Sequence, residues 1–106
     1  MELHTFSSLT SEFLPQYADS MAEADTAFVY YNPEVVEHKR LAEITPEQVK
    51  QAFGGDNLVV FTDSESLQAA LREQKYDNAA LLFMSSGNFS GINLTELGKE
   101  LLRGKF

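Results

Sequence analysis

The sequence predicts one three-layer α/β domain, a mostly parallel sheet of about four or more strands with helices on both faces. Two observations predict it. Three short runs, residues 26–31, 58–61 and 79–84, are apolar without polar alternation, as strands covered on both faces must be. Between them lie segments with helical spacing and recognisable caps, and strands alternating with helices of roughly ten residues give parallel pairing.

Taken in order, residues 2–6 form a short candidate strand that begins almost at the first residue. Thr10 and Ser11 then offer a helix cap, and Phe13, Leu14, Tyr17 and Met21 recur at helical spacing as one apolar face. Pro15 belongs in the first turn of that helix, where a missing N–H costs least, and Asp25 ends it. The run Thr-Ala-Phe-Val-Tyr-Tyr at 26–31 is a strong strand, rich in aromatic and β-branched residues, and Asn32-Pro33 stops it. Residues 34–44 show no clear period. Thr45-Pro46-Glu47-Gln48 is a specific helix start: Thr45 caps, Pro46 takes the first helical position and Gln48 returns the capping bond. Val49, Ala52 and Phe53 face inward, and Gly54-Gly55 ends the helix. After the strand at 58–61, Asp63 or Ser64 caps a helix with Leu67, Ala70 and Leu71 inward. Residues 79–84 form the fourth strand. Asn93-Leu94-Thr95-Glu96 is a second capping-box pattern, with Leu94, Leu97 and Leu101 on the buried face.

The 106 residues suit one domain. No apolar run approaches the roughly 20 residues of a membrane-spanning helix, and Met1-Glu2-Leu3-His4-Thr5 lacks the basic flank of a signal peptide. The absence of cysteine excludes disulfides, a thiolate nucleophile and thiolate zinc sites, and it fits a cytoplasmic location. A net charge of −8 repels phosphate backbones and anionic membranes, which argues against nucleic-acid and membrane partners. An anionic small ligand remains compatible if the few cations are gathered locally.

Ligands of parallel sheets bind at the carboxyl ends of the strands. That rule singles out the loops 7–11, 32–40 and 85–91. Ser85-Ser86-Gly87-Asn88-Phe89-Ser90-Gly91 follows a strand and precedes a helix, so its backbone N–H groups can face an anion. A glycine-containing connection without a ligand explains the same residues. Glu37-His38-Lys39-Arg40 gathers three donors that suit a carboxylate or phosphate, and equally suits a solvated loop. His4 and His38 are the two histidines, and a structural or surface place fits each better than a metal site. No G-x-x-x-x-G-K-[ST] occurs, nor a nucleophile with a base, so any ATP chemistry lies outside this chain.

Two stretches resemble a known family. Phe83-Met84-Ser85-Ser86-Gly87-Asn88-Phe89-Ser90-Gly91-Ile92 is similar to a strand ending in Met-Ser-Asn-Gly-Gly-Phe-Gly-Gly-Ile in bacterial Mur ligases. Leu3-His4-Thr5-Phe6-Ser7-Ser8 takes the place of their Pro-His-Arg-Tyr-Thr-Arg loop, and a helix and an Ala-Asp-type turn at Glu23-Ala24-Asp25 follow. The whole chain resembles the Rossmann-like C-terminal domain of that family, most of all its murein-recycling members. Those join L-alanyl-γ-D-glutamyl-meso-diaminopimelate to UDP-N-acetylmuramate. The resemblance implies a three-domain enzyme of peptidoglycan metabolism. Its N-terminal domain holds the UDP-sugar and its central domain holds ATP and Mg2+. The C-terminal domain closes over both and presents the peptide, and it is inactive alone. It further implies substrate contacts at His4, Ser7, Lys39, Arg40, Ser86, Gly87 and Asn88, and an upstream strand beyond this chain. The departures are neutral Ser7 and Ser8 where the family has arginines, and Asn88 and Ser90 where it has glycines. The alternative is a stand-alone, non-catalytic α/β module that binds a ligand or a protein.

Overall fold

A computed structural model describes residues 1–5, 7–75, 80–85, 87 and 89–103. Among them lie three strands, β1 (Glu2–Leu3), β2 (Ala27–Tyr31) and β3 (Leu58–Phe61), in one parallel sheet of order β1-β2-β3. Glu2 pairs with Tyr30, and Ala27 through Tyr30 pair with Leu58 through Phe61.

The central strand β2 divides its side chains by strict alternation. Ala27, Val29 and Tyr31 enter one buried cluster with Leu3, Leu9, Val49 and Phe53. Tyr30, flanked by partly buried Phe28, enters a second cluster with Leu67, Leu71, Phe89 and Leu97. The first is covered by α2 (Pro46–Phe53), the second by α3 (Ser64–Glu73) and α4 (Leu94–Arg103). No helix among the described residues is long and apolar enough to cross a membrane.

The caps behave as their chemistry dictates. Thr45 Oγ1 accepts from Gln48 N at 3.2 Å while Gln48 Oε1 accepts from Thr45 N at 2.8 Å, the reciprocal pair of a capping box. Gly54 closes α2 at φ 73°, a conformation that glycine adopts without strain. Asp63 caps α3 through Glu65 N and Ser66 N, and Asn93 Oδ1 accepts from Glu96 N at 3.1 Å to cap α4.

Four expectations need correction. Residues 10–25 contain no α-helix: the backbone runs through turns and a 3-10 helix at Leu14–Tyr17. Pro15 removes a donor at its start, and Asp19 at φ 62° leaves the helical region one turn later. The apolar spacing still reaches the core, with Leu14 buried and Tyr17 stacked on Phe53 at 5.0 Å. The first strand is two residues long, and Phe6 lies outside the described residues. Residues 34–44, which lack a period, contain α1 (Pro33–His38), because Asn32 caps Glu34 N and Pro33 opens the first turn.

The fourth strand is the last correction. Residues 80–85 are not paired as a strand, although Met84 O accepts from Glu2 N at 2.9 Å and lays this segment beside β1. Ala79 lies outside the described residues. Leu81 and Phe83 pack on the second cluster while Leu82 and Met84 are exposed, an alternation with only one covered face.

Thr45→Ala removes one half of the capping box and leaves the Gln48 N–H of α2 to water. Urea denaturation should show a loss of about 1 kcal/mol with an unchanged m-value. A loss below a few tenths would mean that α2 is held by packing alone.

Candidate functional site

At the carboxyl end of β1, alternation puts Glu2 and His4 on the same face of the sheet, toward the second cluster. Glu2 is 5% exposed, an unusual place for a charge. Its Oε1 accepts from the buried Phe89 N–H at 2.9 Å and from the Ser85 hydroxyl. Ser85 Oγ in turn accepts from Gly87 N at 2.8 Å. Charge-assisted donors of this kind are what makes a buried carboxylate tolerable. His4 stands at the rim, its Nδ1 4.0 Å from Glu2 Oε2, beyond hydrogen-bond range.

Gly87 is required here by close approach. A Cβ at this position would lie 2.9 Å from the His4 ring and 3.0 Å from Glu2 Oε1. The next described residues, Phe89, Ser90 and Gly91, turn in the left-handed region at φ 53°, 60° and 92°. Phe89 drops its ring into the second cluster, 6.1 Å from Tyr30. Ser90 hydrogen-bonds the Tyr30 hydroxyl at 2.7 Å and accepts from Asn32 Nδ2 at 3.1 Å. Ser85, Phe89 and Ser90 are therefore bound to the ends of β1 and β2. Burial, the largest cause, raises the Tyr30 pKa above its ordinary 10.0, and the negative charge of Glu2 adds to it while the Ser90 hydrogen bond opposes it. An open groove of about 540 Å3 runs from Ser90 between α3 and α4 to Arg72 and Glu100, which pair at 3.1 Å.

His4 and Gly87, expected at the site, are brought together. Ser7 begins a 3-10 turn (Ser7–Leu9), and its backbone alone is described. Ser86 and Asn88 lie outside the described residues. Lys39 and Arg40 sit at the far end of α1 from Asn32. Arg40 takes φ 57° in a Schellman ending, with Arg40 N bonded to Glu37 O and Leu41 N to Val36 O. Glycine is the usual residue there, and a non-glycine residue carries strain of about 1 kcal/mol or more. Among the described residues no three of His, Cys, Asp and Glu gather as a metal site.

Sequence reasoning passed over Glu2, Tyr30, Asn32 and Ser90. Glu2 had one legible signal, a carboxylate in a strand whose neighbours pack inward. Tyr30 reads as core and is core, yet its hydroxyl works at the rim.

Compared with family models, with curated proteins and with solved structures, the chain matches none.

Tyr30→Phe should cost about 1 kcal/mol by loss of the Ser90 hydrogen bond. Because the folded state holds the Tyr30 phenol protonated, its contribution is present below pH 10 and is lost as pH rises through the folded pKa. Stability measured upward from pH 9 should fall less steeply in the variant, and an identical slope would detach Tyr30 from that dependence. Gly87→Ala should push the His4 ring outward, visible as a shift of the His4 imidazole resonances with β2 and β3 signals unchanged. Undisturbed imidazole signals would show that the two residues are not in contact.

Proposed function

We infer that this chain is the substrate-presenting C-terminal domain of an ATP-dependent Mur-type ligase. The reading covers a three-layer Rossmann-like fold working in the cytoplasm on peptidoglycan precursors. One observation carries it. The two stretches that bear the resemblance are about eighty residues apart in sequence, yet they meet where Gly87 lies against the His4 ring. Ser90 adds support: it stands where the ligases carry glycine and adopts φ 60°, a conformation that glycine takes without strain.

The substrate would be a peptide rich in carboxylates, such as L-alanyl-γ-D-glutamyl-meso-diaminopimelate, joined to UDP-N-acetylmuramate. In a chain of net charge −8, donors for those carboxylates must be local. His4, Ser7, Lys39, Arg40, Ser86, Gly87 and Asn88 are the residues proposed to meet them. Arg40 presents its guanidinium from a strained helix end, and Gly87 keeps the loop against His4. ATP and Mg2+ would be held elsewhere in the enzyme. The chain has no phosphate-binding loop and its described residues offer no set of metal ligands, so no step is assigned to them here. The role of this domain would be to orient the amine and exclude water as the domains close.

In the full-length enzyme, Arg40→Ala should raise the KM for the tripeptide about tenfold, the loss of one charge-assisted hydrogen bond, with the KM for ATP unchanged. If both constants stay put, Arg40 does not meet the peptide. The reading frame upstream tests the whole proposal. A G-x-x-x-x-G-K-[ST] motif there supports it. A gene without that motif overturns it and leaves the stand-alone α/β module.

A further inference from the structure

The least expected group in the molecule is the carboxylate of Glu2. It is buried, it lies in the shortest strand, and it serves no pairing within the sheet. Its bonds run instead to a loop more than eighty residues away in sequence. That loop needs an external hold, because Phe89 and Ser90 are non-glycine residues in the left-handed region, where an L side chain is strained. The Phe89 N–H is buried at the first of these turns, and without Glu2 it would be left unsatisfied. The same oxygen holds the Ser85 hydroxyl, which holds Gly87 N, so one carboxylate oxygen governs both ends of the turn.

We propose that Glu2 is the positioning residue of the 85–91 loop, holding Gly87 against His4 and Ser90 against Tyr30 and Asn32 so that the ligand-facing loop is formed before ligand arrives. Glu2 meets no substrate in this arrangement. It acts through Ser85 and Phe89, and His4 and Ser90 are set in place as a consequence. Preorganisation of this kind lowers the entropic cost of binding and raises affinity without adding a contact to the ligand. For the substrate the inference rests on the reading of the chain as a peptide-presenting domain. For the loop it rests on geometry alone.

Two variants separate the effects. Glu2→Leu keeps an apolar filling at the buried position and removes the acceptor. Glu2→Gln keeps a carbonyl oxygen that both donors can use. In the 106-residue chain, hydrogen exchange of the Phe89 amide should accelerate at least about tenfold in Glu2→Leu and recover largely in Glu2→Gln. The amides of Val29 and Val49, in the first cluster, serve as the folding control. Equal Phe89 protection in Glu2→Leu and the parent chain overturns the proposal. In the full-length ligase, Glu2→Leu should raise the KM for the peptide about tenfold with the KM for ATP and kcat little changed, and Glu2→Gln should restore it. Faster exchange with an unchanged peptide KM also overturns the positioning role. If the unmodified protein ligates nothing, the proposed function fails, and the exchange experiment still decides on Glu2.

Discussion

Strand β2 is buried on both faces, and the rest of the molecule is arranged around the need to cover it. Its five residues alternate between two clusters, so no single layer of helix could bury them. The first face receives α2 and the 3-10 segment at Leu14–Tyr17, the second receives α3, α4 and the ring of Phe89. Parallel pairing on both edges of β2 follows, because each crossover must travel over a face before the next strand can join. The loops left at the carboxyl end of the sheet are by-products of that geometry, and they are where the polar groups collect.

A second constraint is local. Once β1 lies against β2, alternation forces Glu2 onto the second face beside Tyr30. A carboxylate there is unfavourable unless donors reach it, and the Ser85 hydroxyl and the Phe89 N–H supply them. Core and site thus share parts. Phe89 is an apolar anchor through its ring and a donor through its backbone, and Tyr30 is core through its ring and a rim hydroxyl at its tip.

This sharing bears on function. Tying a loop to the sheet at two points lowers the entropy left to lose on binding, and Phe89 and Ser90 are tied to β1 through Glu2 and to β2 through Tyr30 and Asn32. The cations at Lys39 and Arg40 stand apart, across the length of α1.

The amino-acid sequence by itself determined the elements whose signals are local. The capping box at Thr45, the stop at Gly54, the strand Leu58–Phe61 and the cap at Asp63 were all legible, because each depends on a few adjacent residues. The α/β class followed from the apolar runs at β2 and β3. Where competing local signals meet, the sequence misleads: the apolar spacing at 10–25 suits a helix that Pro15 and Asp19 do not allow, and Asn32-Pro33 suits the end of a strand as well as the helix cap it forms. The site was half legible. Its glycine-bearing loop could be seen, as could His4, because strand-end loops bind ligands in such folds. That Gly87 must lack a side chain because of His4, that Ser90 bonds Tyr30, and that Glu2 is the hold for the whole loop were decided only by tertiary structure. Each is a contact between residues at least 58 apart in the chain, and no local pattern encodes which distant donor will meet a buried acceptor once the sheet has closed.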